Sequence, residues 1–418
     1  MLIELKVKNF MSFKEETIFS MERSSIDKDK LINNFTKINE LNILKSSIIL
    51  GANASGKSNL LLALDFIKWL LKSSRTFEKK QKIKYFPFKL DSNYREEKPI
   101  SFQIKFISNN NIYAYDISLR KNIKKTSEYG FKIISEKLEK NNVLIYNRRE
   151  KNKFEFNPSV SDETRITSTI LYENALLLST SAIKKTEKSL EEAYQWFDEI
   201  LEVNMGGLLS KEATIDNYNK NPKFKTYLMN YLKKADLGNI TDLKIKKRKF
   251  TFPKDLPEDI IQEFLKENKY IIETYHLDEK KENIKFDFDM EESNGTKKFT
   301  YLLGYIYNLI NQNKVLIIDE LENGLHPELL KLIFQIIHKT DCKAQLISTT
   351  HSYSLLQYVN SDNDEVFRRD QIWFARKKKD MSTQLYSLVN IGGIRKDLRI
   401  WKAYFEGRLE AFPNIKFE

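Results

Sequence analysis

The sequence predicts an α/β fold with an antiparallel β arm and a helical insertion, on three observations. A short apolar run, SSIIL at 46–50, enters a glycine-containing loop and then LLLALDFIKWLL at 60–71, which is apolar nearly all round. That is the pattern of a buried strand, a turn and a buried helix. Five runs between Ile100 and Phe156 (ISFQIKFI, IYAYDISL, KIISEKLE, VLIYNRR, KFEFN) are parted by asparagine-rich turns, as in an antiparallel meander. From residue 314 onward apolar strands alternate with helices: VLIIDE, a helix from Pro327, AQLIST, and a further helix.

The other elements follow in order. Residues 1–20 alternate apolar and polar (Leu2, Leu5, Val7, Phe10, Phe13, Ile18), which reads as one or two strands. Between about 160 and 240 the pattern is helical, clearest in KTEKSLEEAYQWFDEILEV and in NPKFKTYLMNYLKKA, where Pro222 is placed to start the helix. Trp196 and Phe197 are expected in the core. A mixed stretch, DLKIKKRKFTF then PEDIIQEFLKEN, leads to the strand-like IKFDFDM at 284–290. QIWFARK and TQLYSLV pair as a hairpin, with KKKD at 377–380 a solvated turn. The expected division is 1–157, a lobe with the glycine loop and β arm; 158–283, a mainly helical insertion; and 284–418, a C-terminal lobe.

Composition bounds the rest. The chain has 418 residues, 41% hydrophobic and 31% charged, which argues against wholesale disorder. One cysteine, Cys342, allows no internal disulfide and no thiolate metal cluster. No stretch of about 20 apolar residues exists, so an ordinary membrane span is excluded. MLIELKVKNF has no signal-peptide pattern, and a cytoplasmic protein is the expectation. Seventy basic against 58 acidic residues give a net charge of +12. That surplus reads as attraction to a polyanion, or as the composition of a chain rich in Lys, Asn and Ile; the sequence leaves both open.

GANASGKS at 51–58 fits G-x-x-x-x-G-K-[ST] without mismatch. Gly51 and Gly56 let the backbone wrap so that main-chain N–H groups point at phosphate oxygens, and the following helix adds its positive end. The site is expected to comprise Gly51, Asn53, Ala54, Ser55, Gly56, Lys57, Ser58 and Asn59. Lys57 reaches the β- and γ-phosphates, and the Ser58 hydroxyl is a Mg²⁺ ligand. Val315–Ile318 form a buried strand ending in Asp319 and Glu320. Asp319 would hold Mg²⁺ directly or through water, and Glu320 would polarise the attacking water. Ser293 and Asn294 in EESNGTKKF are N-cap types, and Gly295 allows close approach, 24 residues before Asp319. His351 ends the strand AQLIS, 31 residues after Glu320, where an imidazole can sense a γ-phosphate. His338 reads as a solvated residue near a helix end, and His276 as structural. No base-reading motif is visible; ATP is expected, with GTP open.

This succession of P-loop, S-x-G-T, D-E and strand-end His resembles the ABC-type ATPases. The branch is the one that includes the structural-maintenance-of-chromosomes proteins, double-strand-break-repair ATPases and overcoming-lysogenization-defect nucleases. VKNFMSF resembles that branch's first strand and GANASGKSNLL its P-loop. IIDELENGLHPEL and the late FRRDQIWFARK…TQLYSL…GGIRKD…YFEGRLEAFPNI are similar to a bacterial group labelled AAA-15 or AAA-21. The resemblance covers roughly 1–70 and 284–418, and implies an ABC-type P-loop ATPase head. It also implies a homodimer sandwiching two ATP molecules, with Ser293 and Gly295 contacting the γ-phosphate in trans. Asn323 to His326 would form a D-loop-like turn, although His326 can equally cap the helix at Pro327. Gln81 and Gln103 are both open as the Q-loop residue. The short signature and the missing membrane segment argue against a transporter subunit.

For purpose, the first reading resembles the ATPase of anti-phage operons of the Rlo, PARIS and Abi-L types: a sensor and scaffold holding a separate toxic effector. With 67 residues after His351, no appended nuclease domain is expected, and the effector is expected to be a separate chain. The alternative is a DNA-repair or chromosome clamp. It draws on the +12 charge and on LKIKKRKFTF at 243–252, where Lys244, Lys246, Lys247, Arg248 and Lys249 adjoin Phe250 and Phe252. Such a strand can track phosphates and stack bases; the favoured reading of it is a solvated hairpin with inward phenylalanines. The lack of long heptads counts against a clamp. A switch that ATP closes and hydrolysis resets is compatible with the first reading.

Overall fold

A computed structural model of the chain describes residues 1–26, 30–77, 84–121, 130–206, 209–237, 239–253, 255–360, 364–392 and 398–409. Gln81, most of GGIRKD and the final EAFPNI lie outside the described residues. The N-terminal strands are β1 (Leu2–Lys8), β2 (Thr17–Ser20), β3 (Phe35–Ile38), β4 (Leu41–Leu44) and β5 (Ser46–Leu50). The meander is β6 (Ile100–Ser108), β7 (Asn111–Lys121), β8 (Phe131–Lys140), β9 (Val143–Arg149) and β10 (Lys153–Phe156). Then come β11 (Leu201–Asn204), β12 (Ile240–Lys247), β13 (Tyr270–Leu277) and β14 (Asn283–Asp287). The last are β15 (Val315–Ile318), β16 (Gln345–Thr350), β17 (Ile372–Lys377) and β18 (Thr383–Ser387).

The chain forms two compact units, Met1–Gly207 with Gln312–Leu321 and Phe334–Glu418, and Leu208–Asn311 with Glu322–Ile333. The first unit has the predicted α/β architecture. Its antiparallel sheet runs β10-β9-β8-β7-β6-β1-β2, and a second sheet runs β11-β15-β16-β5-β17-β18. In the second sheet β11, β15, β16, β5 and β17 are parallel and β18 closes the edge antiparallel. Strands buried on both faces need continuous apolar or hydrogen-bonded residues, and β5, β15 and β16 are buried at every position. The helix Lys57–Ser73 packs Leu60, Leu64, Phe66 and Ile67 into the core. Phe66 meets the rings of Phe10 and Phe102 there.

Polar side chains stitch this core at a few points. The Gln345 amide donates to the carbonyls of Leu2 and Leu44 and its oxygen accepts from the Leu2 N–H, so β16 is bonded to β1 and β4. Glu136, fully buried, accepts from the Tyr115 and Tyr146 hydroxyls and from the N–H groups of Leu177 and Leu178, which open the helix Leu177–Lys184. Arg148 lies 3.5 Å from the same carboxylate. Trp196 and Phe197 are fully buried, with Trp196 stacked on Phe106.

Two readings need correction. ILEV was expected to continue a helix, but the helix ends in a π-helical turn at Trp196–Ile200, and Leu201–Asn204 is the edge strand β11 paired with β15. Pairing to an apolar strand outweighs local helix propensity there. His338 is not solvated. It is 4% exposed and bonded to Ser46 Oγ at 2.8 Å, and burial beside Lys45 pushes its pKa down to about 3. An imidazole can occupy the inward stripe of a helix when a hydroxyl meets it, as Ser46 does here.

The second unit holds the antiparallel sheet β12-β13-β14 and the helices Glu212–Lys220, Pro222–Lys234, Glu258–Asn268 and Asn294–Asn311. Asn221 caps the helix that Pro222 begins. Gly304 in Asn294–Asn311 lies against Thr214: a Cβ there would sit 2.4 Å from Thr214 Oγ1 and 2.8 Å from its backbone nitrogen. Among the described residues no helix is long and apolar enough to cross a membrane.

Candidate functional site

Three neighbouring parallel strands, β15, β16 and β5, end at one crevice of the first unit. Ligands of open α/β sheets bind at such carboxyl ends. The loop after β5 carries the glycine motif. Gly56 has φ +101°, and a Cβ on it would lie 2.1 Å from Thr383 Oγ1, so only glycine fits. At Gly51 a Cβ would meet the Ala375 carbonyl at 2.2 Å, which brings the loop flush against β17. Asn53 and Ala54 are exposed on the loop crest, with Ala54 left-handed at φ 60°, and Ser55 is buried beneath them. Lys57 opens the helix, and its ammonium donates back to the carbonyls of Gly51 at 2.8 Å and Ala52 at 3.0 Å.

Asp319 follows β15 and is 7% exposed. Its Oδ1 accepts from Ser58 Oγ at 3.0 Å and from Thr349 Oγ1. Its N–H donates to the Asn204 carbonyl at 3.0 Å, so β11 also fixes it. Glu320 takes a left-handed backbone, φ 52°, which is costly for a residue with a Cβ. Thr349 holds that conformation: its hydroxyl accepts from the Glu320 N–H at 2.9 Å and its carbonyl from the Leu321 N–H at 3.2 Å. The Glu320 carboxylate is thereby turned outward, 46% exposed, with Oε1 3.8 Å from His351 Nε2. Lys57, Ser58, Asp319, Glu320 and His351 are therefore brought together from three segments.

Four supporting residues escaped sequence reasoning. Ser12, in the VKNFMSF turn, has its hydroxyl bonded to Asn59 Nδ2 at 2.7 Å and to Thr383 Oγ1 at 2.8 Å. The one Thr383 hydroxyl proton goes to the Ser55 carbonyl at 2.7 Å, so Thr383 Oγ1 accepts from the Ser12 hydroxyl. Thr349 and Asn204 complete the set. Thr349 is in the STTHS motif already singled out, but nothing in the sequence tells a strand threonine that packs from one that bonds.

Ser293 and Gly295 belong to the second unit. Ser293 Oγ accepts from Thr296 N at 3.0 Å and caps the helix Asn294–Asn311. Gly295 faces the Gly324 carbonyl, which a Cβ would approach to 3.2 Å. His326 Nδ1 accepts from the Glu328 N–H at 3.3 Å, the capping role left open for it. His276 is bonded to Glu292 at 2.7 Å. Gln103, the described Q-loop candidate, lies on β6 opposite Asp116 of β7.

The donor set suits a small hard cation. A hydroxyl and a carboxylate oxygen 3.0 Å apart offer two oxygens. Among the described residues no group of three or more His, Cys, Asp or Glu side chains could hold a metal. Mg²⁺ is ordinarily held in this way, by one or two protein oxygens with water and phosphate completing the shell.

The solved structures similar to the chain include two SMC heads. One is an SMC head bound to the C-winged helix domain of ScpA, 14% identical, with 92% of this chain and 97% of that chain covered and a TM-score of 0.46. The other is the SMC head domain from Thermotoga maritima, 13% identical, with 92% and 98% covered and a TM-score of 0.41. No curated protein matches. Residues 46–357, from the first residue of β5 to beyond His351, match the family AAA-21, described as "AAA domain, putative AbiEii toxin, Type IV TA system". The span takes in the glycine loop, Asp319, Glu320 and His351, and the chain belongs to this family of P-loop ATPase domains.

Proposed function

We propose that the protein is a slow, ATP-hydrolysing dimeric switch of the cytoplasm that controls a separate effector in an anti-phage, abortive-infection type of system. The observation that carries the ATPase reading is the division of labour between adjacent carboxylates. Asp319 is buried and tied to Ser58, whereas Glu320 is held outward beside His351. In this reading one acid holds a cation and the other works on water.

In this reading the loop N–H groups and Lys57 bind the phosphates, Lys57 exchanging its two carbonyl partners for phosphate oxygens. Ser58 and Asp319 would hold Mg²⁺, which would supply charge neutralisation to the phosphates. Glu320 takes a proton from the attacking water, and His351 donates to the γ-phosphate. A groove of about 300 Å³ beside Asn59, walled by Met11, Phe86, Phe88 and Met381, has room for a purine ring. Ser293 and Gly295 act on the nucleotide of a second copy, and closure of the pair is the signal. The family description, "putative AbiEii toxin, Type IV TA system", supports a role in a toxin-bearing system and makes this chain as the toxin itself the second reading.

The test is Glu320→Gln. It is expected to keep ATP affinity while losing roughly 100-fold or more in turnover; an unchanged rate removes Glu320 from the chemistry. The tagged variant, purified from a host carrying the native gene neighbourhood, is expected to bring down a stoichiometric second protein. Toxicity of this chain expressed alone, with no partner recovered, would make the chain itself the effector.

A further inference from the structure

The +12 surplus is not spread along the chain. Residues 220–249 carry ten basic and two acidic side chains, a local surplus of eight out of the chain's twelve. A general lysine bias would place less than one there. The thirteen-residue helix Pro222–Lys234 contains no acidic residue. It packs on β12 within the second unit. Phe224, Leu228 and Leu232 point inward from the helix and Leu243 and Ile245 from the strand, so the cations of both are left outside.

Local pairing uses only part of this charge. Lys225 bonds Asp242 at 2.9 Å, Lys246 bonds Glu273 at 2.7 Å, and Lys244 lies 4.6 Å over the Tyr275 ring. Lys247, Arg248 and Lys249 are exposed, and none has an acidic partner among the described residues. β12 is an edge strand, and lysines on an edge discourage strand addition. That accounts for Lys244 and Lys246 at alternate positions. It does not account for three consecutive cations past the strand end, nor for an acid-free helix behind them. The chain then runs into Phe250 and Phe252, whose rings meet Phe264 at 5.0 and 5.7 Å. All three rings are partly exposed, Phe264 by 42%. The expectation of a solvated hairpin with inward phenylalanines is thus met only in part.

We infer that this face of the second unit binds nucleic acid, the Lys247–Arg248–Lys249 run contacting phosphates and the aromatic cluster offering ring surface to bases. Cations interleaved with flat rings are the chemistry of sequence-tolerant binding.

The test is fluorescence anisotropy of the full chain with labelled single-stranded DNA, duplex DNA and single-stranded RNA, over a range of salt. At least one probe is expected to bind with affinity falling steeply as salt rises. The triple variant Lys247→Glu, Arg248→Glu, Lys249→Glu should weaken it by about tenfold or more. It should also flatten the log–log salt slope by about 2 to 3, one phosphate contact per lost cation. Its ATP affinity and thermal midpoint should match the parent, because the three side chains are exposed. No salt-dependent binding to any probe overturns the proposal, and so does an unchanged affinity and slope in the variant. Charge-dependent binding to phosphatidylserine vesicles without binding to nucleic acid also overturns it.

Discussion

At Lys57 the ammonium is already desolvated and held by two loop carbonyls. Phosphate therefore replaces weak neutral partners with charged ones, and charge-assisted bonds are about twice as strong. Lys57→Ala is expected to weaken ATP binding roughly 100-fold or more, measured by calorimetry; retained micromolar affinity would count against the phosphate role. His338 allows a prediction at acid pH. Its native pKa is pushed down to about 3 from 6.5 because burial disfavours the charged ring. Between those values the unfolded chain binds the proton and the native one does not. Stability should therefore fall as pH drops below 6.5, by up to about 1.4 kcal/mol per pH unit. His338→Gln should flatten that limb in urea melts at several pH values; an identical slope in both proteins would remove His338 as its source. The residues legible in sequence were those whose chemistry sits in contiguous motifs: the glycine loop, Asp319 with Glu320, and the strand-end His351. Thr349, Ser12 and Thr383 each act through one hydroxyl, bonded to residues as far as 371 positions away, and a lone hydroxyl has no spacing to read.

The elements were legible where their pattern is local. The meander β6 to β10 pairs each strand with the next, so alternation and asparagine turns suffice. β11 is short and its partner β15 lies far along the chain, so its apolar residues pass for the end of a helix. In the second unit, Gly304 marks a close crossing of the helix Asn294–Asn311 with Glu212–Lys220. A glycine inside a helix reads as a mild defect in sequence, but here the Thr214 backbone occupies the space a methyl would need. Gly304→Ala is expected to destabilise the unit by about 1–3 kcal/mol through overpacking, seen as a lower denaturation midpoint. Unchanged stability would mean the two helices have slack.

At the scale of the whole molecule, the dimer reading makes one demand that the single chain does not. Among the described residues the Ser293 side chain bonds Thr296 alone, as the cap of its helix. Ser293→Arg should leave the monomer folded and able to bind ATP, yet stop ATP-dependent dimerisation in the Glu320→Gln background, followed by light scattering. Normal dimerisation would refute the contact in trans. The Gln345 amide, finally, bears on how the first unit can move. Two sheets touching only through methyl groups can slide past each other by small steps, since dispersion has no direction. Gln345 joins them instead by bonds to the Leu2 N–H and to the carbonyls of Leu2 and Leu44, and those bonds fail when the angle or distance changes. A shift of β16 against β1 and β4 would therefore have to break these bonds, so Gln345 resists sliding at the start of β16 in a way that methyl contacts alone do not.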